Sequence, residues 1–209
     1  YEATNIKIFG ELYKRGLIYR GKKPIHWCFT CVTALAEAEI EYVDEESPSI
    51  VVKFPLKSEF KPLKSYHQPK NLLIWTTTPW TLPANVAVAL HPDATYLAVK
   101  TGGQIYILAA DLVRSVFKKF EVLKGFKGRE LEGLLCANPL GPVDSRVVLT
   151  DFVALDQGTG CVHIAPGHGQ EDYLIGLKYS LPAPMPVDDK GVFTKEAGKF
   201  AGMHVHQAN

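Results

Sequence analysis

Seven short apolar runs, each bounded by turn-forming Gly, Pro, Asn or Asp, limit what this chain can fold into; they fall at 50–54, 72–76, 86–90, 96–100, 105–108, 146–149 and 161–165. Each has the length of a strand, and the spacers between most of them are too short for the crossover helices of a parallel βαβ sheet. The pattern therefore predicts a mainly β chain with peripheral helices, an α+β fold built as a sandwich or barrel. Gly102-Gly103 between two of the runs predicts a tight hairpin turn. Two helices interrupt the pattern, one over 111–120 with Asp111 as cap and Leu112, Val116 and Phe120 as its apolar stripe, the other over 171–179. A third precedes the strands. Ile6, Phe9, Leu12 and Tyr13 recur at helical spacing, Lys14 and Arg15 occupy the last turn, and Gly16 is the stop. Residues 17–20 read as extended. Beyond them Ala36, Ala38, Ile40 and Tyr42 alternate with Glu37, Glu39 and Glu41 at period two, which predicts a strand with one apolar and one acidic face before a turn at 44–48.

Composition narrows the function classes. At 209 residues, 46% apolar and a mean hydropathy of −0.01, the chain can bury a core and is not disordered. The 23 Lys and Arg against 22 Asp and Glu leave a net charge of +1, which excludes a polycation that coats nucleic acid by bulk charge but not a local basic strip. No apolar stretch approaches the roughly 18 residues of a membrane span, so no membrane partner is expected. The opening Tyr-Glu-Ala-Thr-Asn has neither an initiator methionine nor a leader and reads as part of a longer polypeptide. Four dispersed cysteines, Cys28, Cys31, Cys136 and Cys161, do not make a disulfide framework, and a reducing, intracellular compartment is expected.

Several groups of residues could carry chemistry. Cys28 and Cys31 form a C-x-x-C knuckle on a predicted ribbon, the spacing at which two thiolates share one zinc ion. With no second pair nearby it is half a site, either completed from elsewhere or binding no metal. Cys161 lies two residues from His163, but its Gly-Cys-Val-His strand setting makes it a small hydrophobe rather than a nucleophile. At 71–85 an apolar strand runs into Thr76, Thr77 and Thr78, and Pro79 then ends regular pairing, so hydroxyls and amides at the strand end can face a pocket. At 158–172 a glycine loop, a strand, a tight turn and a helix start follow in order. This places the imidazole of His163 and the carboxylate of Asp172 so that both can face one cleft. At a helix N-terminus Asp172 is expected to stay ionised and could grip an ammonium group. Lys118, Lys119, Lys124, Lys127 and Arg129, opposed only by Glu121, could follow a phosphate backbone or be a solvated face.

Taken together these segments resemble the editing insertion of the isoleucyl-tRNA synthetase family. The resemblance rests on W-T-T-T-P-W-T-L-P-A-N at 75–85, on G-T-G-x-V-H-x-A-P-G-H-G-x-x-D at 158–172, and on G-L-I-Y-R-G…W-C-x-x-C-x-T-A-L-A-E-A-E-I-E-Y at 16–42. Valyl and leucyl relatives typically carry T-T-R-P followed by an acidic residue where this chain has Thr78 and Trp80, which selects the isoleucyl branch. The family's amino-acid activation signatures, H-I-G-H and K-M-S-K-S, do not occur in these residues.

The resemblance implies a β-barrel editing domain over 1–209, with a helix-plus-ribbon arm at 1–46, a core at 47–199 and a returning ribbon at 200–209. Its implied activity is hydrolysis of valine wrongly esterified to the isoleucine tRNA. A second sieve is needed because one methylene is worth only about 1–3 kcal/mol in an apolar pocket, a figure for which this enzyme family is itself a worked example. The implied site comprises Thr76, Thr77, Thr78, Trp80, Asn85, His163 and Asp172. Asp172 would bind the α-ammonium, the threonines the terminal adenosine and ester, and His163 and Trp80 would wall the side-chain pocket. No side chain is an obvious nucleophile, so a positioned water is expected to attack. The alternatives are a non-catalytic module that binds the tRNA acceptor end, and a valyl-type editor of threonine. Expected partners are the tRNA acceptor end and the catalytic core of a parent synthetase, with the domain itself a monomer. ATP and Mg would belong to that parent, zinc is an option at Cys28 and Cys31, and the cytosol or an organelle of bacterial descent is the expected location.

Overall fold

A computed structural model of the chain describes residues 1–21, 23–44, 46–141 and 143–209. Its first element is helix α1 (Glu2–Lys14), which ends just before Gly16 at φ +71° and buries none of its residues. A two-strand ribbon follows, β1 (Trp27–Cys28) antiparallel to β2 (Thr33–Ala34). The seven apolar runs all become strands: β3 (Ile50–Pro55), β4 (Lys70–Thr76), β5 (Ala87–Leu90), β6 (Thr95–Thr101), β7 (Gln104–Ala109), and two later ones. Gly102 and Gly103, both at positive φ, close the β6–β7 hairpin as expected. Helix α2 (Val113–Val116), β8 (Glu121–Lys127), β9 (Leu135–Cys136), β10 (Ser145–Leu149), β11 (Cys161–Ile164) and helix α3 (Gln170–Tyr179) complete the order.

The strands form two mixed sheets, β3-β4-β7-β6-β8 and β11-β5-β10-β9. The pairs β4/β7 and β5/β10 are parallel and the other ladders antiparallel. An isolated antiparallel bridge between Leu56 and Cys136 joins the sheets edge to edge. The fold is thus α+β and mainly β, as the sequence predicts. Where the sequence suggests a barrel, the ladders run as two sheets wrapped on a shared core. Leu72 and Ile74, Ile105 and Ile107, Tyr96 and Ala98, and Val88 and Leu90 all point into that core at period two. The alternate residues are buried as well. Leu73, Val99 and Leu108 pack under Val113 at the start of α2, while Ala87, Ala89, Val148 and Ile164 pack under Ile175 of α3. Burial on both faces explains why the runs read as continuous apolar stretches rather than alternating ones.

Three expectations need correction. Residues 36–42 form a 3-10 turn (Glu37–Glu39) instead of a strand, because the Glu39 carboxylate accepts the Ala36 N–H at 2.7 Å and no ladder partner stands alongside among the described residues. The turn expected at 44–48 includes residue 45, which lies outside the described residues. The helix expected over 111–120 is a 3-10 turn (Ala110–Leu112) followed by only the single turn of α2; Asp111 makes no capping bond, and Phe117 turns extended to pack on Tyr106. Within 200–209 the chain makes a bridge from His204 to Val192 and a 3-10 turn (Val205–Gln207) rather than a ribbon. That segment nevertheless meets the arm. Phe29 packs edge-on against His204 and His206, and the Trp27 indole donates to the Asp189 carbonyl at 2.8 Å.

Candidate active site

Thr76 is the last residue of β4, paired with Ile50 of the edge strand, and is buried. Beyond it Thr77 and Thr78 are exposed. The Thr78 N–H donates to Thr76 Oγ1 at 3.1 Å and the two hydroxyls lie 3.3 Å apart, so the chain folds tightly before Pro79 opens a 3-10 turn (Pro79–Ala84). Thr81 in that turn donates its hydroxyl to the Thr78 carbonyl at 2.9 Å. The same oxygen lies 3.0 Å from Nε2 of His163, carried by β11. Thr76, Thr78, Thr81 and His163 are therefore one hydrogen-bonded cluster, in which the Thr81–His163 contact joins residues 82 positions apart. Thr81 is the member of this cluster that a motif-level reading leaves out. It stands inside the quoted threonine motif, but only its contacts distinguish it.

His163 is 6% exposed, and burial, with the charge of nearby His168 adding, pushes its pKa down to about 4. Burial likewise lowers His168 to about 4. Both rings are thus neutral at physiological pH. Nδ1 of His163 and Nε2 of His168 are buried with no hydrogen-bond partner among the described residues. Trp80 meets the His168 ring edge-on at 5.0 Å. These two also line a cavity of about 640 Å³ between arm and core, together with Trp27, Phe29, Tyr173 and Met185. Thr76, Thr77, Thr78, His163 and Asp172 do not line it, so Trp80 and His163 do not wall one common chamber there.

Asp172 sits in the first turn of α3, where its Oδ2 accepts the Ala165 N–H at 2.8 Å. A Cβ on Gly169 would lie 2.8 Å from the Asp172 carboxyl carbon, so only glycine lets this carboxylate fold back over the turn. Two influences oppose each other at this carboxylate. Burial raises its pKa above the ordinary carboxylate value, partly opposed by the Ala165 bond and reinforced by the charge of Glu171.

Asn85 is 2% exposed and spends its side chain inside the fold. Its Nδ2 donates to the Ala87 carbonyl at 2.7 Å and its Oδ1 accepts the Ser145 hydroxyl. It positions the turn after the threonines, and both of its side-chain polar atoms already bond within the fold. The five basic residues are all exposed, with Lys124 and Lys127 on β8, an edge of the five-stranded sheet. Lys127 donates to the Asp93 carbonyl and the Thr95 hydroxyl, and Arg129 pairs with the Asp93 carboxylate, while Lys124 stands on the edge strand, where a lysine discourages pairing with another chain.

At the knuckle, the Cys31 N–H donates to Cys28 Sγ at 3.3 Å, and backbone and side-chain bonds from Cys31 lower the Cys28 thiol pKa. Among the described residues no group of three or more His, Cys, Asp or Glu side chains is placed to hold a metal, so the two thiols are not a complete zinc site. Cys161 is buried with its thiol pKa pushed well up by desolvation, as a packed hydrophobe should be.

Two mixed sheets with few helices make a fold similar to that of synthetase editing domains. The fold matches GlLeuRS-CP1 with a TM-score of 0.57 at 18% identity, covering 67% of this chain and 70% of that one. It matches the P. knowlesi cytosolic leucyl-tRNA synthetase editing domain at 0.54 and 15%, covering 66% and 65%. The family model for class I tRNA synthetases (I, L, M and V) matches residues 1–180, and the chain belongs to that family. Among its relatives are the isoleucine–tRNA ligases of Moorella thermoacetica, 53% identical, and Fervidobacterium pennivorans, 54% identical, each aligned over the whole chain. The chain spans 23% and 22% of their respective lengths.

Proposed function

We propose that this chain is the editing segment of an isoleucyl-tRNA synthetase and hydrolyses the ester of valine misattached to the isoleucine tRNA. The observation that carries this reading is the hydrogen-bonded cluster of Thr76, Thr78, Thr81 and His163 at the end of β4, with the Asp172 carboxylate held on the backbone two residues past His163. The threonine hydroxyls and the exposed amides beside them bind the ester and terminal ribose. One Asp172 oxygen is engaged by Ala165, and the other is available to the α-ammonium of the acyl group, whose charge favours the carboxylate form against the burial that opposes it. Water attacks, and catalysis comes from orientation and from donors aimed at the developing oxyanion. No cofactor enters this step.

In the whole protein the partners are the tRNA acceptor end and the synthetase core, where ATP and Mg serve aminoacylation. Ligands from outside the described residues would have to complete any zinc site at Cys28 and Cys31. The protein works where translation does, in the cytosol.

The test is deacylation of valyl and isoleucyl forms of the isoleucine tRNA by the native chain, Asp172→Ala and Asp172→Asn. The amide keeps an acceptor for Ala165 while removing the charge. Selective release of valine by the native chain, lost in both variants, is expected. Undiminished hydrolysis by folded Asp172→Asn would overturn the assigned role. Binding of a valyl-adenosine analogue without release of valine would instead mark a non-catalytic acceptor-end module, and preference for threonine on valine tRNA a valyl-type editor.

A further inference from the structure

We propose that Thr81 is a positioning residue that fixes the tautomer of His163, so that the Nδ1 lone pair is presented to the water that attacks the ester; this rests on the hydrolytic reading above. The argument follows the protons. A carbonyl oxygen can only accept, so the 2.9 Å contact between Thr81 Oγ1 and the Thr78 carbonyl requires the threonine hydroxyl proton to lie on it. With its one proton committed, Thr81 Oγ1 can only accept from His163 Nε2 at 3.0 Å. The His163 proton therefore resides on Nε2, and Nδ1 is a bare acceptor.

That acceptor is buried and has no partner among the described residues, on a ring that is 6% exposed. A buried acceptor left alone is costly, and a water molecule or a substrate donor is what relieves it. His168, the second histidine with a buried unpartnered nitrogen, stands five residues on in the same segment. The relay begins on Thr78, a member of the ester-binding run. Seating of the ester and orientation of the water are thereby mechanically linked.

In the reaction the water oxygen bonds to the ester carbonyl carbon and the bond from that carbon to the ribose oxygen breaks. The proton lost by the water ends on the ribose oxygen, leaving free valine and a restored hydroxyl. His163 orients the water and takes up no net proton.

Two measurements on the full chain test this. In nitrogen-15 spectra of histidine-labelled protein at neutral pH, His163 is expected to carry its proton on Nε2 alone, and Thr81→Val, nearly isosteric but unable to bond, to show a mixture. In steady-state deacylation, Thr81→Val is expected to lower kcat by about 10- to 100-fold with KM within about twofold, and Thr81→Ser to restore it, as loss of orientation without loss of binding requires. A proton on Nδ1 of native His163, or unchanged kcat in folded Thr81→Val, overturns the proposal. If the native chain releases no valine, the hydrolytic reading fails and the role proposed for the water fails with it, while the spectra still decide the tautomer separately.

Discussion

Tyr96→Phe should separate the two sheets' shared support from their packing. Tyr96 is fully buried on β6, and its hydroxyl donates to the Gly160 carbonyl at 2.6 Å while accepting the His91 N–H at 2.9 Å. It thereby ties the five-stranded sheet to β5 and to the loop that launches β11 and His163. Removing the oxygen leaves the Gly160 carbonyl buried without this donor, a loss of about 2 kcal/mol, and the half-buried His91 N–H without its acceptor, about 1 kcal/mol. The variant no longer desolvates a hydroxyl, which returns about 1 kcal/mol, so the net destabilisation is about 2 kcal/mol. For a chain of this length each kcal/mol moves Tm by about 2–4 °C, giving a fall of roughly 4–8 °C. Urea denaturation with an unchanged slope, alongside a thermal melt, measures it. A loss below about 0.5 kcal/mol would show that the two bonds contribute no net stability and would refute the reasoning.

Two further outcomes follow from the same geometry. His163 and His168 fold with pKa values near 4 against 6.5 unfolded, so stability is full above pH 6.5 and lost as pH falls toward 4, by up to about 3 kcal/mol for each ring. Melts between pH 7 and 4 should show this, and His168→Gln should flatten the profile; a profile as steep as native in that variant would contradict it. Gly158 has φ +70°, and a Cβ there would lie 2.7 Å from the Trp75 ring. Gly158→Ala is therefore expected to cost at least about 1 kcal/mol and to alter tryptophan fluorescence, and a native-like melt and spectrum would count against the contact.

Deacylation assays of Asp172 and Thr81 variants carry the remaining predictions. They differ in kind. Asp172→Asn removes a charge that burial already disfavours, so it should melt no lower than native at neutral pH while losing activity. Thr81→Val should leave binding and lose turnover.

Most strands and the site motifs are legible in the chain alone. Apolar runs long enough for β5 or β7 and a Gly-Gly pair at a turn leave little alternative, because period, length and positive φ are local properties. The three threonines before Pro79 were equally legible as a strand end. What local pattern could not reveal is which partner a side chain meets. The glutamate alternation at 36–42 has strand period but no neighbour to pair with among the described residues, while β8, with its lysines and Gly125, pairs with β6 through one bulge because that edge was open. Asn85 looked available and is consumed by Ala87 and Ser145, and the helix-start position of Asp172 suggested an ionised carboxylate that burial then disfavours. Thr81 and His163 stand 82 residues apart in the chain and 3.0 Å apart in the fold. Only packing β4's turn against β11 makes them a pair, since desolvation and hydrogen-bond partnership are properties of the assembled core rather than of the chain.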